Sequence, residues 1–292
     1  MNHTNYRGRF APSPSGDLHF GSLVAATGSY LEAKTNSGEW LVRIEDLDLP
    51  RTAHGATDSI LATLERHQMQ WDHSVIFQST RNEYYQESLK LLLESDLLFA
   101  CECSRNQLKG ITPYPGSCRN KNLPLENHAI RIRVDDEVIT LNDKWQGRHL
   151  WNMKKNIGDF IVRRRDGIYA YQLAVVVDDY LQGITHIVRG SDLLESTPRQ
   201  IYLQQQLDYT TPNYAHLPIA VDNHGIKLSK QHQTQPINRD KPVENIFNAL
   251  EFLGQNPPNE LLTYPLNSVW EWALENWRSN KSLEKPARKS QV

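Results

Sequence analysis

The sequence has few cysteines and no long apolar run. All three cysteines of the 292 residues lie between positions 101 and 118. An odd, clustered set in a cytoplasmic chain excludes a disulfide framework and favours a metal site. The apolar runs at 89–93 and 173–177 are too short to span a membrane. The first ten residues contain no apolar core, so we expect no secretory signal, a cytoplasmic location and no membrane partner.

The chain also lacks a strong excess of charge of either sign. The net charge of −2 gives no global signal for nucleic-acid binding. Basic residues do cluster at 163–165 and again between positions 278 and 289. Such runs are typical of solvated surfaces, and contact with an RNA backbone is the alternative that we keep open. The length allows one large domain or two small ones.

The alternation of apolar segments predicts an α/β fold with a parallel sheet and crossover helices. Strands are expected at 8–11 and 39–44, and helices at 20–36, 56–67 and 82–95. Residues 99–155 are rich in turns and polar residues, which indicates an insertion with a strand at 129–134. The α/β pattern resumes with the apolar segments 159–163, 173–178 and 186–190, followed by a helix at 197–207. After Lys230 the pattern is mainly helical, most clearly at 243–253 and 269–277.

Two common nucleotide-binding signatures are missing. The first turn has no G-x-G-x-x-G, and the chain has no G-x-x-x-x-G-K-[ST], so a dinucleotide site and a P-loop are both excluded. Instead, the stretch RFAPSPSGDLHFGSL begins at Arg9 and leads into a predicted helix. A helix N-terminus attracts anions, and His19 could donate to a phosphate there. A Pro/Gly turn with an incidental histidine is the competing interpretation.

A second candidate for phosphate binding lies far downstream, in GIKLSKQ at 225–231. Its lysines could neutralise a triphosphate, although lysine-serine runs are also common in surface loops. Together the two stretches are specific, because they resemble the two signatures of class I aminoacyl-tRNA synthetases. Residues 19–22, HFGS, resemble the His-Ile-Gly-His motif, and residues 227–231, KLSKQ, resemble the KMSKS loop. Ser22, Leu228 and Gln231 depart from the consensus, as the glutamate-specific branch tolerates.

That branch also carries RFAPSP and RIED, which are present here at 9–14 and 43–46. The resemblance implies a Rossmann-like catalytic domain with a parallel sheet, at 1–98 and 156–235. It also implies a zinc-binding insertion at 99–155, a small helical stem domain with a basic tail at 236–292, and no anticodon-binding domain.

The resemblance also implies the site residues. His19 and Lys230 would be catalytic, acting on the α-phosphate of ATP with Mg²⁺. The residues implied for ATP binding are Pro12, His19, Gly21, Ser22, Lys227, Ser229 and Lys230. The residues implied for L-glutamate binding are Arg9, Ala11, Ser13, Glu45, Tyr171 and Arg189. Arginine suits the two carboxylates of glutamate, and a carboxylate suits its ammonium. Without the resemblance, residues 43–46 would be taken as solvated charges at a strand end.

The cysteine cluster has the spacing of one metal site. Cys101, Cys103 and Cys118 could hold a structural Zn²⁺ with one ligand missing. The similar family insertion supplies a tyrosine, which implies Tyr114 as the fourth ligand. His128 is the ordinary alternative, and reduced cysteines without metal remain possible on the spacing alone.

The stretch after KLSKQ is short, and we expect it to be too short for an anticodon-binding region. This shortness resembles the glutamyl-queuosine tRNA(Asp) synthetases. That family activates glutamate without tRNA and esterifies queuosine at the wobble position of tRNA(Asp). The implied partners are therefore L-glutamate, ATP and the queuosine-containing anticodon loop, bound by a monomer. A minimal glutamyl-tRNA synthetase that charges the acceptor end and a non-catalytic tRNA-binding paralogue are the alternatives.

Overall fold

The computed structural model describes residues 6–221 and 236–289. The strands are β1 (Arg7–Phe10), β2 (Glu39–Ile44), β3 (Ile76–Phe77), β4 (Leu98–Cys101), β5 (Ala129–Ile132), β6 (Val138–Asp143), β7 (Gly147–Asn152), β8 (Phe160–Arg163), β9 (His186–Gly190), β10 (Asn213–Leu217), β11 (Ile219–Val221) and β12 (Ala287–Lys289). The helices are α1 (Phe20–Thr35), α2 (Ala56–Arg66), α3 (Asn82–Glu94), α4 (Tyr171–Leu181), α5 (Thr197–Gln206), α6 (Pro242–Phe252) and α7 (Leu266–Asn276).

Parallel strands form the centre of the molecule. Strand β2 pairs in parallel with both β1 and β3, and β9 pairs in parallel with β10. The backbone N–H of Thr185, directly before β9, donates to the Arg7 carbonyl at 2.9 Å, so β9 lies beside β1. The predicted α/β fold with a parallel sheet is confirmed. Because the carboxyl ends of such strands share one edge, Arg9, Glu45 and Arg189 are brought to the same side.

Helix α1 packs closely on this sheet. Its buried side includes Leu23, Ala26 and Leu31. At Gly28 a Cβ atom would lie only 2.6 Å from Leu217 of β10. A glycine is therefore needed for the close approach of helix and strand.

The polar segment between the two halves of the parallel sheet forms antiparallel structure. Strand β5 pairs with β4 and β8 in one sheet, and β6 pairs with β7 in a hairpin. The strand predicted at 159–163 exists as β8. However, it pairs with β5 and not with the parallel strands.

The apolar segment at 173–178 is helical. Residues 173–178, taken with the apolar segments of the α/β pattern, lie inside helix α4. Five consecutive apolar residues there, from Leu173 to Val177, are at most 1% exposed. A helix that is buried on all sides loses its 3.6-residue period, and its sequence then resembles a buried strand.

The C-terminal helices share a hydrophobic core with α1 and α2. Ile246, Leu250 and Trp270 belong to the same buried cluster as Leu31 and Leu64. The tail also contributes β12, which pairs in parallel with β11 and was not predicted. Within the described parts of the chain, no helix combines the length and apolarity needed to cross a membrane.

Candidate active site and cysteine cluster

His19 is the N-cap of α1. Its Nδ1 accepts a hydrogen bond from the backbone N–H of Ser22 at 3.3 Å, and its Nε2 lies 3.1 Å from the Ser22 hydroxyl. Because Nδ1 accepts, this arrangement assigns a neutral ring with its hydrogen on Nε2. Pro12, Gly21 and Ser22 are partly buried. The predicted phosphate-binding residues His19, Gly21 and Ser22 lie at a helix N-terminus, where anions bind favourably.

The described chain resumes beside His19 at Pro236. Pro236 forms an antiparallel bridge with His19, and the Ile237 N–H donates to the Leu18 carbonyl at 3.1 Å. The predicted residues Lys227, Ser229 and Lys230 lie outside the described residues. The chain thus returns beside His19 directly after that segment.

Arg9 and Arg43 are buried on one carboxylate, that of Asp179. Arg9 donates from Nε at 3.0 Å and from Nη2 at 3.2 Å to the two oxygens of Asp179. Arg43 Nη1 lies 2.8 Å from Oδ1 of the same carboxylate. Burial raises the pKa of Asp179, but the two guanidinium groups outweigh it and hold the pKa below its usual value. Arg9, predicted to face a substrate carboxylate, therefore already has a protein carboxylate on two of its nitrogens.

Asp178 and Asp179 were not predicted as site residues, although they are an acidic pair at the end of an apolar run. Asp178 is fully buried and accepts hydrogen bonds from Tyr85 at 2.7 Å and from Gln78 at 2.8 Å. Arg81 also pairs with it. Asp179 therefore holds Arg9 and Arg43 in place, and Asp178 holds Arg81.

Glu45 follows β2 and is 8% exposed at its side chain. Its Oε1 lies 3.6 Å from Arg43 Nη2, and it has no hydrogen-bond partner among the described residues. Burial raises the pKa of Glu45 to about 7, against the attraction of Arg43 and Arg9. Its backbone N–H donates to the Pro12 carbonyl at 3.0 Å, which ties it to the loop before α1. Glu45 is thus a buried acceptor without a full partner.

Tyr171 and Arg189 complete the cluster. Burial raises the pKa of Tyr171, and the charges of Arg189, Glu45 and Arg9 act on its phenol. Arg189 is 5% exposed. Its Nη2 donates to Thr197 Oγ1 at 2.9 Å, and its Nη1 is buried without a hydrogen-bond partner in the described chain.

The two remaining predicted glutamate-binding residues lie on the loop after β1. Ala11 is partly buried, whereas Ser13 is exposed. The Ser13 carbonyl accepts from the Ser15 N–H at 2.8 Å, which forms a tight turn. Among the described residues, neither side chain forms a hydrogen bond to the buried cluster.

The three cysteines, grouped by their spacing, and Tyr114, implied by the resemblance, converge. The three Sγ atoms lie within 4.8 Å of one another, with 3.5 Å between Cys103 and Cys118. The Tyr114 hydroxyl lies 3.5 Å from Cys101 Sγ and 3.8 Å from Cys103 Sγ. Burial raises the pKa of Cys118, but hydrogen bonding, first from Tyr114, lowers it to about 7. Three thiols and a phenol at these distances fit a tetrahedral Zn²⁺ site.

His128, the alternative fourth ligand, is partly buried, and its Nδ1 lies 3.0 Å from the Glu126 carbonyl. In residues 6–221 and 236–289, the group of metal-ligating side chains that includes the cysteines does not include His128. The geometry therefore favours Tyr114.

The basic cluster at 163–165 is partly engaged within the protein. Arg164 pairs with Asp48 at 2.8 Å. Arg165 is exposed, and its Nε donates to the Asn127 carbonyl at 3.0 Å. Within the cluster at 163–165, Arg165 is thus the exposed charge, and Arg278, Lys281, Lys285 and Lys289 of the predicted basic tail are exposed as well.

Comparisons with known proteins identify the family of this chain. The family described as tRNA synthetases class I (E and Q), catalytic domain, matches residues 5–114 and 114–263. A glutamyl-Q tRNA(Asp) synthetase of Dechloromonas aromatica is 50% identical over 283 residues, which cover 93% of this chain and 94% of the relative. A glutamyl-Q tRNA(Asp) synthetase of Pseudomonas putida is 46% identical over 98% of this chain and 97% of its own.

The chain belongs to the glutamyl-Q tRNA(Asp) synthetase family. Solved structures extend the likeness to the fold of this family. A glutamate-tRNA synthetase from Elizabethkingia anophelis superposes with a TM-score of 0.81 at 25% identity, covering 98% of this chain and 68% of that one. The fold is thus that of a class I glutamyl-tRNA synthetase.

Proposed function

We propose that this glutamyl-Q tRNA(Asp) synthetase family member activates L-glutamate with ATP in the absence of tRNA. It then transfers the glutamyl group to queuosine at the wobble position of tRNA(Asp). The observation that carries the first step is a pair of buried groups of opposite charge, each with an atom that has no hydrogen-bond partner among the described residues. These are Arg189 Nη1 and Glu45 Oε1.

The two groups match the charges of an amino acid. Arg189 would pair with a carboxylate of glutamate, and Glu45 would accept a hydrogen bond from its ammonium. Arg9, held by Asp179 through Nε and Nη2, would contribute positive charge beside them. A glutamine side chain would leave a buried guanidinium uncompensated, and sites of this kind discriminate by about 10⁴-fold or more.

Activation then takes place at the N-terminus of α1. A carboxylate oxygen of glutamate attacks the α-phosphorus of ATP, a P–O bond forms, and pyrophosphate leaves. His19 Nε2–H would donate to the phosphate, while Lys227 and Lys230 would offset the charge that develops on the leaving group. Mg²⁺ carried with ATP would neutralise phosphate charge, and the protein mainly positions the reactants.

In the transfer step, a hydroxyl group of queuosine attacks the carbonyl carbon of the glutamyl-adenylate. An ester forms, AMP leaves, and the hydroxyl proton is lost. Arg165 is a candidate contact to the RNA backbone. Single-stranded loops allow a splayed base to be recognised in this way. We place the enzyme in the cytoplasm, where tRNA is found, as a monomer.

The proposal includes a structural Zn²⁺ held by Cys101, Cys103, Tyr114 and Cys118. The converging thiols support it, as does the position of the site between β4 and a segment with few apolar residues. The metal would order this insertion and take no part in the reaction. The short C-terminal part of the chain, α6 and α7, would serve as a stem-contact unit.

The first step is tested by ATP–pyrophosphate exchange without RNA. Glutamate should support exchange, and glutamine and aspartate should not. No exchange with glutamate would favour the non-catalytic paralogue.

The second step is tested with radiolabelled glutamate and two samples of tRNA(Asp), with queuosine or guanine at the wobble position. Label only on the queuosine-bearing tRNA, surviving periodate treatment of the acceptor end, is expected. Label on tRNA(Glu) that is lost after periodate would instead identify a minimal acceptor-charging enzyme.

A further inference from the structure

A buried relay of side chains stands behind Arg189. His216 on β10 lies directly opposite Arg189 on β9 in the parallel register. Arg189 Nε donates to His216 Nε2 at 3.1 Å, and His216 Nδ1 lies 2.5 Å from Asp143 Oδ2. His216 is 0% exposed, and the side chain of Asp143 is equally inaccessible. The relay therefore has no access to water.

The hydrogen bonds define the state of each group in this relay. A guanidinium can only donate, so Nε2 of His216 must accept and its hydrogen must lie on Nδ1. That hydrogen is donated to Asp143, which therefore selects the tautomer that Arg189 requires. Asp143 is itself held by the backbone N–H groups of Trp145 at 3.0 Å and Gln146 at 2.9 Å.

The relay leaves one nitrogen of Arg189 for a ligand. Nε is bound by His216, and Nη2 donates to Thr197 Oγ1 at 2.9 Å. These contacts fix the plane of the guanidinium. Nη1 alone remains without a hydrogen bond among the residues that the structure describes. A fixed plane with one unpartnered, buried donor is suited to receive a carboxylate oxygen.

We propose that Asp143 and His216 are positioning residues for Arg189, which orient its Nη1 toward a carboxylate of the substrate. This inference rests on the proposed function, because it assigns Arg189 to glutamate. It also gives the β6–β7 hairpin a role in amino-acid recognition, since Asp143 is the last residue of β6.

The test separates the two hydrogen bonds of His216. In His216→Gln, the amide oxygen can replace Nε2 as the acceptor for Arg189. In His216→Asn, the shorter amide can replace Nδ1 as the donor to Asp143, but the acceptor for Arg189 is lost. Each variant thus keeps one bond of the pair. Asp143→Asn presents an NH₂ to Nδ1 and so favours the wrong tautomer.

The measurement is ATP–pyrophosphate exchange by the full chain, with KM determined separately for glutamate and ATP. His216→Asn and Asp143→Asn should raise the KM for glutamate by about 10- to 100-fold, because small displacements of a binding group are costly. The KM for ATP and the kcat at saturating glutamate should stay close to the parent values. His216→Gln should restore most of the glutamate affinity.

His67 provides a matched control. It is also 0% exposed, and both ring nitrogens are engaged, with Thr63 at 2.7 Å and Asn245 at 3.0 Å. His67→Asn should lower the melting temperature without changing the KM for glutamate. If His216→Asn does not fold, Asp143→Asn carries the same test.

Three results would overturn the inference. The first is a parental KM for glutamate in both His216→Asn and Asp143→Asn. The second is an equal rise of the KM values for glutamate and ATP. In these two cases glutamate-dependent ATP–pyrophosphate exchange by the parent enzyme would still support the proposed function. The third is an absence of glutamate-dependent exchange in the parent, which removes the proposed function and this inference together.

Discussion

Replacing Glu45 by glutamine should stabilise the folded protein at alkaline pH while it weakens glutamate binding. Burial raises the pKa of Glu45 to about 7, from 4.5 for an ordinary glutamate side chain. Between these two values the folded state binds more protons than the unfolded state, so stability falls as the pH rises. The penalty is absent below pH 4.5 and complete above about pH 7. Glutamine does not titrate and avoids it.

The magnitude follows from the difference in pKa. Since one pKa unit corresponds to about 1.4 kcal/mol, the full penalty is about 3 kcal/mol. About 2–3 kcal/mol of it develops between pH 5 and pH 8. For a chain of this size that corresponds to a shift of about 5 °C in melting temperature. The advantage of Glu45→Gln over the parent should therefore be larger at pH 8 than at pH 5 by about this amount.

The same variant should lose affinity for the substrate. A buried hydrogen bond to a charged group contributes about 1.5–3 kcal/mol, so the KM for glutamate should rise by about 10- to 100-fold. Thermal unfolding at the two pH values and ATP–pyrophosphate exchange measure the two effects. Exposed Glu271 on α7 supplies the control, Glu271→Gln, with no pH-dependent difference and no change in KM. A Glu45→Gln variant with the same thermal shift at both pH values would refute the argument.

Three further predictions follow from the geometry. His19→Ala should cost about 1 kcal/mol of stability because the N-cap is lost, while His19→Asn keeps the cap. Both variants should lower the rate of ATP–pyrophosphate exchange by about 100-fold. An active His19→Asn would show that His19 only caps the helix. Asp179→Ala should lower the free energy of unfolding in urea by about 3–5 kcal/mol, because it leaves Arg9 and Arg43 buried without their shared carboxylate. An unfolding midpoint equal to that of the parent would contradict this. Cys118→Ser should purify without zinc by elemental analysis, whereas retained metal at parental stoichiometry would argue against the cysteine site.

The sequence pattern predicted the helices and strands whose apolar residues recur at a regular spacing. Strand β2 was predicted at its observed bounds, and α1 was predicted to within one residue, because each shows a clear run between breaking residues. Residues 173–178 were predicted only as an apolar segment, since complete burial removes the period that distinguishes a helix from a strand. Strand β12 has no such pattern and is set by its pairing with β11.

In the candidate site, too, some residues were predictable from the sequence and others were not. The residues of the two sequence motifs were identifiable, but their partners were not, because those partners are distant in sequence. Arg9 and Asp179 are 170 positions apart, and His216 and Asp143 are 73 apart. No local spacing indicates such pairs. A buried Asp-Asp pair after five apolar residues was the one available signal, since charges are rarely buried without a partner.

The shared core of α1 with the C-terminal helices has a consequence for biosynthesis. Trp270 Nε1 donates to the His67 carbonyl at 2.8 Å, and Trp277 Nε1 donates to Glu32 Oε1 at 2.8 Å. These bonds join residues 203 and 245 positions apart. At about 5–20 residues per second, a ribosome needs roughly ten seconds or more to deliver the second partner after the first. During that interval the side of α1 against which α7 packs stays exposed. The nascent chain should therefore depend on chaperones until its last helix emerges.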